Sequence, residues 1–407
     1  MDFPKESLEI ISFLEEHGFE GFIVGGAVRD SLLKLPIHDI DICTDARPEE
    51  IQEIFQDHKT IDVGKQFGTI RLEWQGDFYE VTTYRWDGDY KDGRHPESVE
   101  YSKRLSDDLQ RRDFTINAMA YNPKTGFVDL FSGQEDLKKG IIRAVGKAED
   151  RMKEDALRIL RAIRFAARLD FSIEKSLAKT IVDQRASLKK ISVERILEEM
   201  DKMLLSKNPD KAIMFLDDFK LLPLILGKDY RLDTRSLDLL KVLPKNLHLV
   251  WASLYRYSRM NVKKSFRALK PSNRRQALLQ TLLAYGQEDI PQNLYGARKL
   301  MGELGEDFKL LYSFLYYESA CFSLDPTNFK RWDQYLKEIE EKKLATSLKD
   351  LAIDGEDLLS MGFKAGAIIG QILSFLFEEV LQNRVENKRE DLLEAAKTYF
   401  NGKHCKG

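Results

Sequence analysis

The chain has 407 residues, of which 43% are apolar and 32% are charged, and its formal net charge is −3. Its three cysteines (Cys43, Cys321 and Cys405) are too few and too far apart for a disulfide framework or a set of metal ligands. Without a signal segment or an apolar run of roughly eighteen residues, the sequence predicts a cytoplasmic protein that does not enter the membrane.

The N-terminal 145 residues alternate between strand and helix patterns. Helices are predicted over residues 5–17, 27–35 and 48–56, and strands over 21–24, 38–43, 67–74 and 78–84. Gly76-Asp77 predicts the turn of a hairpin between the last two strands. Beyond Gly146, apolar residues recur at helical spacing to the C-terminus. The pattern therefore predicts an α+β protein, with a small α/β unit followed by an extended all-helical array.

Two glycines separate the first apolar strand from a helical segment. Gly25 and Gly26 let the backbone approach an anion at the helix N-terminus, which makes this a candidate phosphate site. Arg29 follows at the start of the helix, where its planar guanidinium suits a phosphate; a surface salt bridge with Asp30 is the alternative.

Asp39 and Asp41 lie at alternate positions of the next predicted strand. On a strand both carboxylates project from one face, and beside a phosphate site they are candidate ligands for two magnesium ions. Glu80, on the hairpin strand, is either a third ligand or a cross-strand partner of Arg71. The two alternatives remain open at this point.

A basic and acidic cluster precedes an apolar segment at residues 111–118. Arg112 is a candidate contact for the triphosphate. Asp113 could accept a hydrogen bond from a ribose hydroxyl, which would distinguish ribonucleotides from deoxyribonucleotides. We expect Asn117 to hold backbone in place.

A continuous helix is predicted over residues 153–168, with Glu154, Arg158 and Arg161 on one face and Asp155 beside them. A carboxylate next to a guanidinium matches cytosine and adenine, which each present an amino donor beside a ring-nitrogen acceptor. Ordinary helix-stabilising salt bridges would give the same spacing. Arg164 falls nearly opposite Asp155 on a straight helix.

A stretch without acidic residues, 239–287, contains ten lysines and arginines together with Trp251, Tyr255, Tyr257 and Phe266. Such a local excess of positive charge with aromatic side chains is typical of a surface that binds a polyanion. A solvated helical face is the alternative.

These motifs, in this order, resemble those of the class II tRNA nucleotidyltransferases, the bacterial CCA-adding enzymes of the polymerase-beta superfamily. The resemblance rests on five runs and continues more weakly around residues 354–370. The runs are Gly25–Asp30, Asp39–Asp41, Arg111–Ala118, Asp129–Gly133 and Glu154–Arg158.

The resemblance implies a polymerase-beta-like head (1–145) followed by a helical neck (146–205), body (206–310) and tail (311–407). It implies magnesium-dependent addition of C, C and A to the 3′ end of tRNA from CTP and ATP, without a nucleic-acid template. By resemblance, Gly26, Arg29 and Arg112 would contact nucleotide, and Asp39 and Asp41 would bind metal. Asp155 and Arg158 would read the base, supported by Arg161 and Arg164.

Several alternatives remain. By the same resemblance, enzymes of the family that add only CC lack a flexible loop that corresponds to residues 85–101 here, where Arg94 and His95 are candidates for substrate contact. An enzyme that adds only A would keep this loop. A bacterial poly(A) polymerase, a transferase acting on small molecules, and an RNA-binding protein on a decayed transferase head are further options. The sequence leaves the oligomeric state open, including a homodimer.

Overall fold

The computed structural model describes residues 1–37, 39–64, 67–87 and 99–404. Contacts between Cα atoms divide the chain into two units. The first comprises Met1–Lys241 and Tyr257–Ser272, and the second comprises Val242–Arg256 and Asn273–Gly407. The four-part division into head, neck, body and tail stays a prediction.

The strands of the described residues all lie in the first unit. They are β1 Gly21–Val24, β2 Asp41–Thr44, β3 Thr60–Gly64, β4 Thr69–Trp74, β5 Asp77–Thr83, β6 Arg85–Asp87, β7 Val99–Tyr101, β8 Met119–Asn122, β9 Gly126–Asp129, β10 Ile141–Ile142 and β11 Ser172–Ile173. Seven of these form one mixed sheet in the order β3-β4-β5-β2-β1-β8-β9. Within this sheet β2 and β5 are parallel, and the other neighbouring strands are antiparallel.

Helices fill the rest of both units. In chain order they are α1 Lys5–Glu16, α2 Gly26–Leu32, α3 Pro48–Ile54, α4 Leu105–Gln110, α5 Gly133–Lys139, α6 Ala148–Glu154, α7 Leu157–Leu169, α8 Lys175–Gln184, α9 Val193–Leu204, α10 Pro209–Asp218, α11 Leu222–Leu226, α12 Thr234–Val242, α13 Leu247–Arg256, α14 Val262–Ala268, α15 Asn273–Ala284, α16 Leu294–Leu304, α17 Phe308–Cys321, α18 Thr327–Glu341, α19 Gly355–Ser360, α20 Ala367–Leu381 and α21 Arg389–His404. None of them, within the described chain, has the length and apolar character that a bilayer crossing requires.

Strand β1 is the centre of the N-terminal core, because all four of its residues are buried. On one face, Gly21 lies against Ile11 and Leu14 of α1. On the other face, Phe22 and Val24 pack in a cluster with Cys43, Tyr84, Leu109 and Ala120. A strand covered on both faces reads as a continuous apolar run, which explains why residues 21–24 were readily predicted.

Helix α7 is the centre of the helical part of the first unit, where it packs against α9 and α10. Its buried residues lie on most of its circumference and include Arg158 as well as apolar side chains. A helix buried on most sides is held by its neighbours, so its polar side chains can be oriented by side chains of other elements.

The second unit is entirely helical in the described residues. Its core includes buried residues of α19, α20 and α21, among them Leu358, Leu376 and Leu392. Arg298 of α16 is buried and donates hydrogen bonds to the carbonyl oxygens of Ala345 (2.9 Å) and Val380 (3.1 Å). Its positive charge thus lies at the C-terminal end of α20, where the helix dipole favours a cation.

The predicted α+β class is confirmed, and several boundaries needed correction. The hairpin is present, but its turn is formed by Gln75 and Gly76, both at positive φ, which suits a two-residue turn. Strand β2 is Asp41–Thr44, so the strand predicted over 38–43 was wrong at residues 39 and 40, and residue 38 lies outside the described residues. Strands β3, β6, β7, β8, β9, β10 and β11 were not predicted.

The helix predicted over residues 153–168 is interrupted. Helix α6 ends at Glu154, Asp155 has an extended backbone (φ −139°, ψ 106°), and α7 begins at Leu157. An aspartate readily caps a new helix with its side chain, and the amide nitrogen of Leu157 donates a hydrogen bond to Asp155 Oδ1 at 2.9 Å. This local cap replaces the helical hydrogen bonds that the sequence pattern suggested.

Candidate active site

Ten residues that the sequence assigns to catalysis or nucleotide binding line one cavity of about 560 Å³ in the first unit. They are Gly26, Arg29, Asp39, Asp41, Arg112, Asp113, Asp155, Arg158, Arg161 and Arg164. Residues separated by more than one hundred positions in the chain therefore share one surface. The structure brings the predicted site together, and the role of each residue stays a prediction.

The glycine pair lies at the junction of β1 and α2. Gly25 has φ +73°, and a Cβ atom at this position would lie 2.8 Å from the Arg112 guanidinium (Nη1). Only glycine adopts this backbone conformation without strain and also leaves room for the guanidinium. The glycine therefore allows Arg112 to approach the backbone at the start of α2.

The two aspartates lie at the edge of the cavity, Asp41 as the first residue of β2 and Asp39 just before the strand. Only Asp41 belongs to the strand, so the alternation of side chains along a strand does not place Asp39. Both aspartates nevertheless line the cavity. Desolvation raises the pKa of Asp41, and the neighbouring carboxylates of Glu80 and Asp39 add to this rise, while Arg112 opposes it. A bound cation relieves the repulsion between carboxylates that lie near one another in this way.

Glu80 is the register partner of Asp41 across the parallel strands β2 and β5. Its carboxylate is 3.0 Å from the Arg71 guanidinium, which is the cross-strand pair considered as an alternative to metal binding. Both side chains are more than 40% exposed. In the described part of the chain, no group of three or more histidine, cysteine or acidic side chains has an arrangement suited to a metal ion.

Arg111 and Arg112 are both held by Asp108, a residue that the sequence analysis missed. Asp108 is fully buried, and it accepts hydrogen bonds from Arg111 (3.0 and 2.5 Å) and from Arg112 (3.2 and 2.9 Å). Burial opposes the charge on Asp108, but the two guanidinium groups hold the pKa of this carboxyl below its usual range. Arg112 is thus fixed at the cavity wall by a buried counter-charge.

Asp113 accepts four hydrogen bonds from protein groups. Its Oδ1 accepts from the amide nitrogen of Phe114 (2.8 Å) and from Asn117 Nδ2 (3.0 Å), and its Oδ2 accepts from Arg161 Nε (2.8 Å) and Nη2 (2.6 Å). Burial alone would raise the pKa of Asp113, but Arg161 and Asn117 lower it to about 2. A carboxylate has about four acceptor positions, so a ribose hydroxyl would have to displace one of these partners.

Arg29 is buried beside the glycine pair and has two polar partners. Its Nε and Nη2 lie 2.8 Å from Asp30 Oδ1, and its Nη1 donates to Asn117 Oδ1 at 2.6 Å. The salt bridge with Asp30 is therefore present, but it is a buried pair within the cavity wall and not a surface contact. Asn117 contacts the side chains of Arg29 and Asp113, whereas it was predicted to hold backbone in place.

Asp155 and Arg158 are both fixed by neighbours. Asp155 Oδ2 accepts a hydrogen bond from Arg195 Nη2 at 2.7 Å. Arg158 is 9% exposed, forms an ion pair with Glu154 and donates to the carbonyl oxygen of Arg111 at 3.0 Å. The ion pair follows the helical spacing of Glu154 and Arg158 noted in the sequence, although the two residues belong to different helices.

Arg164 lies at the same cavity because the chain is not helical at Asp155. Its Nε donates to Glu199 of α9 at 2.7 Å, and its guanidinium lies 4.3 Å from the centre of the Phe165 ring. Burial lowers the pKa of Arg164, and the charge of Glu199 opposes this shift. The opposite placement expected for a straight helix was therefore wrong.

The acid-free segment has exposed cations, but most of its aromatic residues are buried. Trp251, Tyr255 and Phe266 are buried, because they form the apolar sides of α13 and α14. The Arg256 side chain is also largely buried, within the second unit, where its Nε lies 2.7 Å from Glu318 Oε1. The exposed cations of the segment are Lys241, Lys245, Arg259, Lys263, Lys264, Arg267, Lys270 and Arg274. The prediction of surface aromatic residues was wrong for Trp251, Tyr255 and Phe266, whereas Tyr257 is half-buried and its ring centre lies 4.1 Å from the Arg235 guanidinium.

Three family models match successive parts of the chain. The poly A polymerase head domain matches residues 21–143, the probable RNA and SrmB-binding site of polymerase A matches residues 170–228, and the putative tRNA nucleotidyltransferase domain 2 matches residues 245–396. The CCA-adding enzyme of Ligilactobacillus salivarius is 36% identical over 97% of this chain and 96% of its own length. The chain belongs to the family of CCA-adding enzymes.

Two further comparisons agree with this assignment. The CCA-adding enzyme of Lactobacillus delbrueckii subsp. bulgaricus is 38% identical over 96% of each chain. The crystal structure of the Bacillus stearothermophilus CCA-adding enzyme in complex with CTP is 32% identical, covers 100% of both chains and has a TM-score of 0.81. The family resemblance predicted from the motifs is confirmed. CCA-adding enzymes are nucleotidyltransferases, a class that typically uses divalent metal ions.

Three partners of the charged side chains that line the cavity were not predicted: Asp108, Arg195 and Glu199. Asp108 lies three and four residues before Arg111 and Arg112, a helical spacing at which ion pairs form, so it could have been found. Arg195 and Glu199 lie on α9, 40 and 35 residues from their partners Asp155 and Arg164, and no local pattern signals these pairs.

Proposed function

We propose that this chain adds C, C and A in turn to the 3′ end of tRNA, taking CTP and ATP and releasing pyrophosphate. The observation that carries the proposal is that Asp39 and Asp41 line the same cavity as Asp155 and Arg158. One pair of residues suits the chemistry of nucleotidyl transfer, and the other suits the selection of a base. Their position in one cavity allows the selected nucleotide to be the one that reacts.

Arg29 and Arg112 would hold the triphosphate near Gly26. Each guanidinium already has a buried carboxylate partner, Asp30 for Arg29 and Asp108 for Arg112. Side chains fixed in this way lose little conformational freedom when a nucleotide binds, which favours affinity. Arg161 and Arg164 would add positive charge at the same cavity and support the residues that read the base.

The carboxylates of Asp39 and Asp41 fit magnesium, because they are hard oxygen ligands at the cavity edge in mutually repulsive surroundings. Bound magnesium would supply positive charge that favours ionisation of the tRNA 3′ hydroxyl and stabilises the departing pyrophosphate. Asp39 and Asp41 would bring the magnesium to the part of the cavity wall that also carries Arg112. Glu80 is not required in this proposal, since it is paired with Arg71.

Asp155 and Arg158 would select the base without a template. Asp155 would accept a hydrogen bond from the amino group of cytosine or adenine, and Arg158 would donate to the adjacent ring nitrogen. Uracil and guanine present a carbonyl oxygen and a ring N–H in these places, so acceptor would meet acceptor. Unpaired polar groups of this kind in a buried site weaken binding strongly.

Exposed cations of the acid-free segment would contact the tRNA backbone. Lys263, Lys264 and Arg267 of α14 and Arg259 before it are exposed. Phosphate contacts release counterions, so affinity for tRNA would fall steeply with salt. A transferase that acts on small molecules has no need of such a surface. The loop that would distinguish CC-only enzymes lies mainly at residues 88–98, including Arg94 and His95, outside the described residues.

The experiment uses three tRNAs, one lacking CCA, one ending in the first C and one ending in the second C. Each is incubated with magnesium and a single labelled nucleotide. We expect CTP to extend the first two and ATP to extend only the third, once. Extension of the third alone would instead identify an A-adding enzyme, and long A tails would identify a poly(A) polymerase.

The same assay tests the metal assignment. Asp39→Ala and Asp41→Ala should each lower incorporation by about a thousandfold or more, because transition-state charge loses its main stabilisation. Asp57→Ala, which changes an exposed aspartate outside the cavity, is the matched control. Near-normal incorporation by either cavity variant, at any magnesium concentration, would contradict the assignment. Filter binding to tRNA at two salt concentrations tests the RNA partner separately.

A further inference from the structure

Asn117 lies between two groups of opposite charge in the cavity wall. It ends a short 3-10 turn, Thr115–Asn117, and is 6% exposed. Its Oδ1 accepts from Arg29 Nη1 at 2.6 Å, and its Nδ2 donates to Asp113 Oδ1 at 3.0 Å. A guanidinium only donates and a carboxylate only accepts, so a side chain between them must offer one acceptor and one donor. The amide of asparagine meets this requirement.

The contacts continue on both sides of this amide. Arg29 lies beside the glycine pair at the start of α2, and Asp113 holds Arg161 of α7 through two hydrogen bonds. A chain of side chains, Arg29–Asn117–Asp113–Arg161, therefore joins the region proposed to hold phosphates to the helix proposed to support base selection. All four residues line the cavity.

We propose that Asn117 is a positioning residue, which sets the orientation of Arg29 and Asp113 for nucleotide binding. This inference rests on the proposed function, because it concerns how the same cavity holds CTP and ATP. Without the amide, Arg29 keeps its pair with Asp30 and its contact with the Phe165 ring, but its Nη1 loses the hydrogen bond that orients it. Asp113 loses one of its four partners, which loosens its hold on Arg161.

A purely structural role is the competing explanation, and Asn122 provides a matched control. Asn122 is also a buried asparagine, and its Nδ2 donates to Glu15 Oε1 (2.7 Å) and to the carbonyl oxygen of Gly21 (2.8 Å). It does not line the cavity. Asn117→Ala removes two side-chain hydrogen bonds and Asn122→Ala removes four, but only the first variant loses contacts to cavity residues.

The test measures kcat and KM for CTP and ATP on matched tRNA substrates, together with nucleotide affinity by calorimetry without tRNA. Asn117→Ala should raise the dissociation constants and KM values of both nucleotides by about tenfold or more, since hydrogen bonds to charged groups are involved. Asn122→Ala should leave them within about twofold, whatever it does to thermal stability. Equal effects of the two variants, or unchanged affinities in Asn117→Ala, would overturn the proposal.

A second variant gives a readout that lost stability cannot imitate. Asn117→Asp keeps the size and the acceptor toward Arg29, but it places a second carboxylate near Asp113. Two such carboxylates share a proton at low pH, and the shared proton restores the missing donor. The charged groups around this position are Arg29 and Asp30 from α2, Arg112 beside Gly25, Asp113, Arg158 and Arg161 from α7, and Asp136 from α5.

For Asn117→Asp we expect affinity close to that of the parent at low pH and a progressive loss as the pH rises, when the shared proton dissociates. The parent should lack this additional loss. An Asn117→Asp profile parallel to that of the parent would overturn the proposal. Failure of the proposed function is recognised separately, because the unchanged chain would then not add C, C and A in turn to the three tRNAs.

Discussion

Asp155 and Arg195 form an ion pair at 2.7 Å across 40 residues of chain. Asp155 also caps α7 through the amide nitrogen of Leu157. The proposed acceptor for the nucleotide amino group is thus fixed from two sides, by its own helix and by α9. Its orientation is set before a nucleotide arrives, as expected for a residue that replaces a template base.

Arg195→Lys should reduce base selection more than it reduces catalysis. Lysine keeps the positive charge but not the planar fork that holds the Asp155 carboxylate. We expect the ratio of kcat/KM for CTP to that for UTP to fall by about tenfold, the equivalent of about 1.4 kcal/mol. Lys202→Ala, which removes an exposed pair with Glu198 on the same helix, should leave the ratio unchanged. An unaltered ratio in Arg195→Lys would separate Arg195 from base selection.

Ionisation of the Asp113 carboxyl should make the free energy of unfolding depend on pH in the acid range. Its pKa falls from 3.8 to about 2 in the folded protein. A lowered pKa stabilises the native state above the unfolded pKa, here by about 2 kcal/mol, and this stabilisation is lost as the pH falls from about 4 to 2. The difference in unfolding free energy between the parent and Asp113→Asn should therefore narrow on acidification through this range. Urea unfolding at several pH values measures this difference in unfolding free energy, with Asp57→Asn as the control. A difference that stays constant with pH would show that ionisation of Asp113 does not contribute to stability.

Glu80→Gln should have little effect on magnesium-dependent incorporation. Glu80 is paired with Arg71 at the surface, and exposed pairs of this type contribute about 0–1 kcal/mol. The concentration of magnesium that gives half-maximal rate should change by less than about threefold. Glu73→Gln, which removes the exposed pair with Lys59, is the control in the same sheet. A magnesium requirement raised by an order of magnitude would instead make Glu80 a metal ligand.

Gly25→Ala should impair nucleotide binding more than backbone strain alone explains. A Cβ atom at Gly25 would lie 2.8 Å from Arg112 Nη1, whereas a Cβ atom at Gly76, also at positive φ, would meet nothing within 4 Å. Both variants should lose about 1 kcal/mol of stability from the backbone conformation. Only Gly25→Ala should also raise the KM for CTP and ATP, by displacing Arg112. Equal KM values for the two variants would show that the contact with Arg112 is unimportant.

Much of the fold and of the site could be predicted because the signals are local. The buried strand at 21–24, the hairpin and the helical second half follow from the periodicity of apolar residues. Gly26, Arg29, Asp39 and Asp41 stand out because polar or flexible residues interrupt apolar segments. Their meeting in one cavity with Asp155 and Arg158 followed from the family resemblance, since no local pattern measures distance across a fold.

What the sequence did not reveal depends on tertiary partners. Glu154 to Arg158 has good helical propensity, so the interruption at Asp155 was not apparent without Arg195, which holds the carboxylate in its non-helical position. Arg164 likewise reaches the cavity because that interruption changes the direction of α7. The aromatic residues Trp251 and Tyr255 were misread because a basic segment can present its cations outward while its aromatic residues fill the core.

The central claim is that Asp155 and Arg158 choose the base in place of a template. Its most direct test is misincorporation by Asp155→Ala, measured with tRNA ending in the first C and with each of the four labelled nucleoside triphosphates. We expect the parent to use CTP alone. We expect Asp155→Ala to incorporate UTP as well, with discrimination between CTP and UTP reduced by about tenfold or more. Exclusion of UTP and GTP by Asp155→Ala as complete as that of the parent would contradict it.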